Sequence, residues 1–471
     1  MSPHTEAMPS NLHTEAKLAD LRNDAPVRQV RIGPSEVVVE RTPEGVIYAR
    51  SPHPLGPYPE KLTESLDHWA ATAPERTFMA KRIAGGEWRR LSYAEAREKA
   101  RSIGQALVNR GLSVERPIAI LSGNDLEHAL IGLGAMYAGI PYAPISPAYS
   151  LISSDFAKLR HIFQLLTPGL VFAASGVHFQ RAIEAVMPPD AELVVTSGLV
   201  GQAVSPAIRR NSPGAPPPFQ PAHLTPTPFY DLLTATPGAS LETAHNKISG
   251  DTIAKILFTS GSTGMPKGVI NTHRMWSSNQ EMARATLQFV ADEPPVLVDW
   301  LPWNHTFAGN ADVGLVLYNG GTLYIDDGKP TPSHFHETVR NLKEIAPTIH
   351  LNVPKGFEAL AAACAPVIVV ADRLPPAYRP GSHVALDVHV VSDLRAPLNH
   401  AQVRAELTWP DGGRTWWFEG DVDADSCSRV GRLTTTLPPD ARPGPVILEL
   451  DLEWADGKVT NRYEGVIGRP E

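Results

Sequence analysis

Ile256-Leu-Phe-Thr-Ser-Gly-Ser-Thr-Gly-Met-Pro-Lys-Gly-Val-Ile270 decides the reading of this chain. It begins as a short apolar, β-leaning run, Ile256 to Phe258, and passes at once into Thr259 to Thr263, where four hydroxyl residues surround one glycine. Gly261, Gly264 and Gly268 carry no Cβ, so backbone N–H groups there can close around an anion. Lys267 adds a positive charge where the loop ends. The pattern is a strand running into a phosphate-cradling loop. It differs from G-x-x-x-x-G-K-[ST], because Lys267 follows Pro266 and precedes glycine rather than a hydroxyl residue that opens a helix.

Around this loop the composition is that of a globular chain: 471 residues, 42% hydrophobic and 20% charged, too long for one ordinary core, so at least two domains are expected. A net charge of -8 without a Lys/Arg cluster argues against nucleic acid as a partner. Cys364 and Cys427 are too few for a disulfide framework or a cysteine metal site, which fits a reducing cytoplasm. Met1 to Arg22 has no apolar core and reads as a mobile tail rather than a secretory signal. The longest uncharged stretch, Ala129 to Ser154, is broken by Gly132, Gly134, Gly139, Pro141, Pro144 and Pro147, so no membrane span is expected.

From about Lys61 to Ala363 helix and strand patterns alternate. Ser92-Tyr-Ala-Glu95 is a capping box opening a helix that stops at Gly111. Strand patterns follow at Pro117–Leu121, Tyr142–Ile145, Leu170–Ala173 and Glu192–Thr196, with helices over Asp125–Ala138, Asp155–Leu166 and Phe179–Val186 between them. Beyond the glycine-rich loop come strands Val296–Trp300, Thr322–Ile325 and Thr348–Val353, a small-residue helix from Gly309 and a helix Ser333–Ile345. This rhythm predicts a mostly parallel sheet covered by helices on both faces. Residues 197–227, with Asn211-Ser-Pro-Gly-Ala-Pro-Pro-Pro218, interrupt it as a loop insertion.

After Pro366 period-two alternation takes over. Val384, Leu386, Val388 and Val390 share a face, as do Val403, Ala405, Leu407 and Trp409, and then Val446, Leu448, Leu450, Leu452 and Trp454. Roughly seven short strands in residues 366–471 predict an antiparallel β-sandwich of immunoglobulin type. The alternation places Trp409 and Trp454 in its core. Residues 1–56 remain as tail and lead-in.

The string Thr-Ser-Gly-Ser-Thr-Gly-x-Pro-Lys-Gly resembles the hallmark of adenylate-forming acyl-CoA synthetases, luciferases and peptide-synthetase adenylation domains. Residues 57–363, about two thirds of the chain, resemble the N-terminal domain of feruloyl-CoA synthases in particular. Leu62-Thr-Glu-Ser-Leu-Asp-His-Trp-Ala70, Met136-Tyr-Ala-Gly-Ile-Pro-Tyr-Ala-Pro-Ile145 and Trp300-Leu-Pro-Trp-Asn-His-Thr-Phe-Ala-Gly309 carry that likeness. It implies ATP with magnesium, coenzyme A as acceptor and a small aromatic carboxylic acid as substrate. Under it Thr259, Ser260, Gly261, Ser262, Thr263, Gly264 and Lys267 cradle the β- and γ-phosphates. His305 stands near the acyl carboxylate in the catalytic role, and Trp303, Asn304 and Phe307 wall the acid pocket. Asn271-Thr-His273 reads as a structural helix start. His334 and His336 lack a carboxylate partner at set spacing, so no metal site is assigned to them.

The family's Tyr-Gly-x-Thr-Glu and Thr-Gly-Asp strings do not occur in the sequence, nor do the hinge and small C-terminal domain that carries a lysine. The expected fold is therefore a truncated adenylate-forming α/β domain followed by an all-β sandwich. Residues 366–470 weakly resemble the immunoglobulin-like accessory domains of family 2 glycoside hydrolases. Two functions stay open: an ATP-dependent acid–CoA ligase for a hydroxycinnamate-like acid, or a catalytically incomplete fusion pairing a nucleotide-phosphate loop with a non-catalytic, interaction or carbohydrate-facing sandwich. A sheet cut short exposes an edge, so self-association or aggregation is expected.

Overall fold

The computed structural model describes residues 29–198, 225–260, 264–331, 334–363, 365–372 and 374–468. The chain divides into two compact units, Met1–Val353 and Pro354–Glu471.

In the first unit a seven-stranded sheet runs in the order Pro266–Thr272, Ile253–Ser260, Tyr142–Pro144, Ile118–Leu121, Leu170–Ala173, Glu192–Val195, Thr227–Pro228. Its pairings are parallel except the first, which is an antiparallel hairpin. Ile118–Leu121 and Leu170–Ala173 are buried at every position, as uninterrupted apolar runs between helix layers must be. The alternation in the sequence feeds a second sheet as well. Val296–Asp299, Thr322–Ile325 and Thr77–Arg82 pair in parallel, and Trp88–Ser92 closes this sheet antiparallel to Thr77–Arg82.

Helix starts follow local chemistry. Ser92 Oγ accepts from Glu95 N (3.2 Å) and Glu95 Oε2 accepts from Ser92 N (3.0 Å), opening the helix Tyr93–Asn109. Asp125 caps Leu126–Ala138, which ends where Gly139 turns to φ +68°. That helix is buried almost all round, and with Tyr93–Asn109 it brings Ile103, Leu107, Ile131 and Tyr137 into one core with Leu62, Leu66 and Phe78. Each such fully buried side chain contributes about 1.5–3 kcal/mol relative to exposure.

Three expectations change. Thr348–Val353 forms no strand. Thr348 pairs with Val296 through both its N–H and its Oγ1, and Ile349, Leu351 and Val353 then pack on the core from an irregular path. The interruption expected over 197–227 ends earlier, because Thr227–Pro228 already pairs with the edge of the sheet; residues 199–224 lie outside the described residues. The expected lead-in contains an exposed antiparallel hairpin, Val38–Arg41 with Ile47–Arg50.

The second unit opens with the helix Pro354–Ala363 and continues in strands. One sheet holds Val367–Ala371, His383–Ser392 and Ser426–Thr436. The other holds, in order, Ala377–Tyr378, Gly457–Ile467, Gly444–Trp454, Leu398–Trp409 and Gly412–Val422. Val384, Leu386, Val388, Val390, Val403, Ala405, Leu407, Val446, Leu448, Leu450 and Leu452 are buried in one shared core, as their alternation predicts. Pairing is antiparallel except that Ala377–Tyr378 runs parallel to Gly457–Ile467. Trp409 and Trp454 are half-buried against that core, whereas Trp417 is 66% exposed.

Candidate active site

The hairpin of Ile253–Ser260 and Pro266–Thr272 presents the glycine-rich segment at its tip. Its register sets Thr259 opposite Lys267 and Ser260 opposite Pro266, so a hydroxyl and an ammonium side chain share one exposed end. Gly264 holds φ +84°, a left-handed conformation that favours glycine. Gly268 permits close packing on its partner strand, because a Cβ there would stand 3.1 Å from Ile256 Cγ2. Gly261, Ser262 and Thr263, assigned to the same cradle, lie outside the described residues.

Alternation along Ile253–Ser260 gives its two faces different tasks. Ile256 and Phe258 pack against an apolar cluster that includes Leu159, Ile162 and Phe163 of the helix Ala157–Leu166. From that helix His161 Nε2 meets Pro266 O at 3.1 Å, which fastens the far strand of the hairpin. On the opposite face Leu257 and Thr259 line an open cleft of about 360 Å³, which Phe258 also borders and which is shared with Tyr149, Asn271, Asn304 and His305.

His305 reaches this cleft from a loop between Val296–Asp299 and a π-helical turn, Phe307–Asp312. The loop is anchored by its buried odd residues, Leu301 and Trp303, and by the bond from Asn124 Nδ2 to Leu301 O (2.8 Å). Gly309 N donates to His305 O (2.8 Å), and Phe307 N donates to His305 Nδ1 (3.3 Å). With Nδ1 accepting, neutral His305 carries its proton on Nε2. A group that donates there beside the glycine-rich hairpin can orient a carboxylate.

The structure thus brings Thr259, Asn304 and His305 to one cleft, with Lys267 across the hairpin from Thr259. The other two expected wall residues sit elsewhere. Phe307 lines a neighbouring open cleft of about 410 Å³ with Asn271, Trp276 and Asn310. Trp303 is only 5% exposed and turns inward, edge-on to His128 at 5.2 Å, beside an enclosed space of about 30 Å³. Asn271-Thr-His273 is the helix start it resembles: Thr272 Oγ1 accepts from Met275 N at the head of His273–Thr286. Asn271 additionally faces the cleft.

Buried ionisable groups under the site had no counterpart in the sequence reading. Lys255, 1% exposed, lies on the cleft face of the hairpin strand, and burial pushes its pKa well below the ordinary lysine value. His128 and His273 are lowered to about 4 by burial. Asp299 and Asp312 lie against each other below the His305 loop, and burial raises both. A strand begun at Ile253 rather than Ile256 would have shown Lys255 as an inward-facing cation. No group of three or more metal-ligating side chains occurs among the described residues, and no described helix is long and apolar enough to cross a membrane.

A family model described as AMP-binding enzyme matches residues 66–399, extending past residue 363, the expected end of the resemblance. The long-chain-fatty-acid–CoA ligase ACSBG2 of Xenopus laevis is 22% identical over 279 residues, 59% of this chain and 35% of that protein. Luciferin 4-monooxygenase of Nipponoluciola cruciata is 27% identical over 232 residues, 48% of this chain and 38% of its own. The chain therefore spans little more than a third of the length of the curated relatives it matches. Among solved structures, fatty acyl-adenylate ligase from L. pneumophila, in complex with acyl adenylate and pyrophosphate, is similar with a TM-score of 0.43 and 17% identity. That match covers 61% of this chain and 42% of that one.

Proposed function

The chain belongs to the AMP-binding enzyme family, and on that premise we propose that it binds ATP through the Thr259–Lys267 hairpin and takes a hydroxycinnamate-like carboxylic acid in the adjoining cleft. The observation that carries this reading is the cleft of about 360 Å³ in which Thr259 of the hairpin meets Asn304 and His305. In the proposed ligase chemistry, carboxylate attack on the α-phosphorus brings two anions together, so the site must supply positive charge and oriented donors. Lys267 and the hydroxyls of Thr259 and Ser260 would take the phosphates, aided by the backbone of Gly261 to Gly264. His305 would donate from Nε2 to the acid. Pyrophosphate would leave as the acyl adenylate forms, and the acyl group would then pass to the thiol of coenzyme A with release of AMP, magnesium accompanying ATP as substrate.

Long-chain fatty acids are named for the ligase relatives. An aromatic acid is favoured here by Tyr149 and Phe258 lining the cleft and by the Trp300 to Gly309 string. The second unit is proposed as an immunoglobulin-type sandwich without chemistry of its own.

A second reading is binding without turnover. It is favoured by the missing Tyr-Gly-x-Thr-Glu and Thr-Gly-Asp strings, whose carboxylates would grip magnesium and ribose. ATP–pyrophosphate exchange with ferulate separates the two: exchange at rates typical of ligases supports turnover, and ATP binding without exchange supports the second reading. Absence of ATP binding overturns both.

A further inference from the structure

We propose that Lys255 is a positioning residue, a cross-brace that sets the His305 loop at a fixed distance from the phosphate hairpin; this rests on the functional reading above. Lys255 Nζ donates to Gly309 O at 2.6 Å and lies 3.6 Å from the centre of the Trp276 ring. Among the described residues it has no carboxylate partner, so it does not serve as half of an ion pair.

Its acceptor is available because of the turn in which Gly309 sits. Phe307–Asp312 is a π-helical turn, whose i→i+5 register spoils the normal i→i+4 ladder and leaves carbonyls to be met from outside. Side chains meet them. Lys255 takes Gly309 O, and Trp276 Nε1 (2.9 Å) and Gln280 Nε2 (3.0 Å) both take Asn310 O. Asn310 Nδ2 reaches Asn271 Oδ1 at 2.8 Å, on the other strand of the hairpin. Gly309 N closes the connection by donating to His305 O. A Cβ on Gly309 would stand 2.2 Å from Trp303 O, so glycine is what lets the turn pack this closely on the loop.

One strand therefore carries both Thr259 of the cleft and the lysine that holds the His305 turn. Thr259 stands at the phosphate end, and Lys255, on the same face, lies about 13 Å further down the strand. A pleated strand is a stiff ruler, and Lys255 hooks the His305 turn to a set mark on it. A solvated lysine would exchange its acceptor readily. This one is enclosed by Phe78, Met136, Tyr142 and Trp276, with space for little more than one water molecule.

The test compares the full chain with Lys255→Met, which keeps the apolar stem and removes the donor. Hydrogen exchange over residues 305–312 should rise at least ten-fold while exchange in the strand Leu170–Ala173 stays unchanged. Ferulate should bind at least ten-fold more weakly, with ATP affinity held within about two-fold. If Lys255→Met does not fold, Trp276→Phe, which removes one donor to Asn310 and keeps an aromatic ring beside Lys255, should raise exchange in the same segment by a smaller factor. Unchanged exchange over 305–312 in the folded variant, or an equal rise across the whole unit, overturns the proposal. Wild-type protein that binds neither ATP nor ferulate refutes the functional reading, and the exchange result alone then decides whether the brace exists.

Discussion

Replacing Asp312 by Asn should make the protein more stable at pH 7.5 than the unmodified chain, and the advantage should disappear in acid. Asp299 is 3% exposed and Asp312 is fully buried. Asp299 Oδ1 accepts from Leu301 N, but Asp299 Oδ2 and both Asp312 oxygens have no hydrogen-bond partner among the described residues. Neighbouring Asp326 is satisfied by Gly328 N, Thr338 Oγ1 and Asn341 Nδ2 and offers its neighbours only negative charge. Burial drives Asp312 from 3.8 to about 6, and Asp299 is raised well above its ordinary value by burial and by Asp312. Between pH 3.8 and 6 the folded protein retains protons that the unfolded chain has released. Stability from this pair is therefore greatest in acid and falls as pH rises through about 6. A rise of about 2.2 pH units at about 1.36 kcal/mol each makes the loss about 3 kcal/mol for Asp312. An amide that cannot ionise escapes that loss but leaves polar atoms unpaired at about 1–3 kcal/mol, a cost independent of pH. Urea denaturation of both proteins at several pH values reads the effect of Asp312 and of Asp299, which it raises, because titrating groups that do not interact with Asp312 cancel in the difference. The variant's stability relative to wild type should climb by about 2.4 kcal/mol between pH 4 and 7.5, the remainder of the loss lying below pH 4. A flat difference would refute a buried Asp312 that holds its proton to about pH 6 beneath the His305 loop.

Gly309→Ala places a methyl group against Trp303 O and should destabilise by about 1–3 kcal/mol, seen as a lowered thermal midpoint. Ser92→Ala removes one half of the capping box and should cost about 0.5–2 kcal/mol by the same measurement. Leu448→Ala empties a fully buried position in the core of the second unit and should cost about 2–5 kcal/mol in urea.

Most elements of the first unit were legible because their boundaries are chemical. Leu170–Ala173 and Thr322–Ile325 lie where apolar runs meet turn residues, and Ser92 and Asp125 announce helices through hydrogen bonds to the first turn. What local pattern cannot specify is partnership. The same alternation serves one sheet or two, and Thr77–Arg82 joins Thr322–Ile325 across a large separation that neither segment encodes alone. Thr348–Val353 shows the converse: β-leaning residues with an apolar rhythm satisfied by packing after a single pairing at Val296. For the site, the glycine-rich string was readable as a strand running into a loop that ends at Lys267, since glycine, hydroxyl and cation residues are adjacent in sequence; the return strand Pro266–Thr272, which makes it a hairpin, was not. The Trp300 to Gly309 string was readable too. That Trp303 turns inward while His305 turns to the cleft depends on how the π-helical turn is held. That hold comes from Lys255, Trp276 and Gln280, three residues scattered over two other elements.

Equilibrium binding of ATP to the full chain and to Lys267→Ala is the most direct measurement of whether the hairpin grips phosphate. A charge-assisted bond contributes about 1.5–3 kcal/mol, so losing the ammonium should weaken ATP at least ten-fold, with pyrophosphate competing in the unmodified protein. Equal affinity in the two proteins, or ATP binding that pyrophosphate does not displace, would contradict a phosphate cradle at Thr259–Lys267.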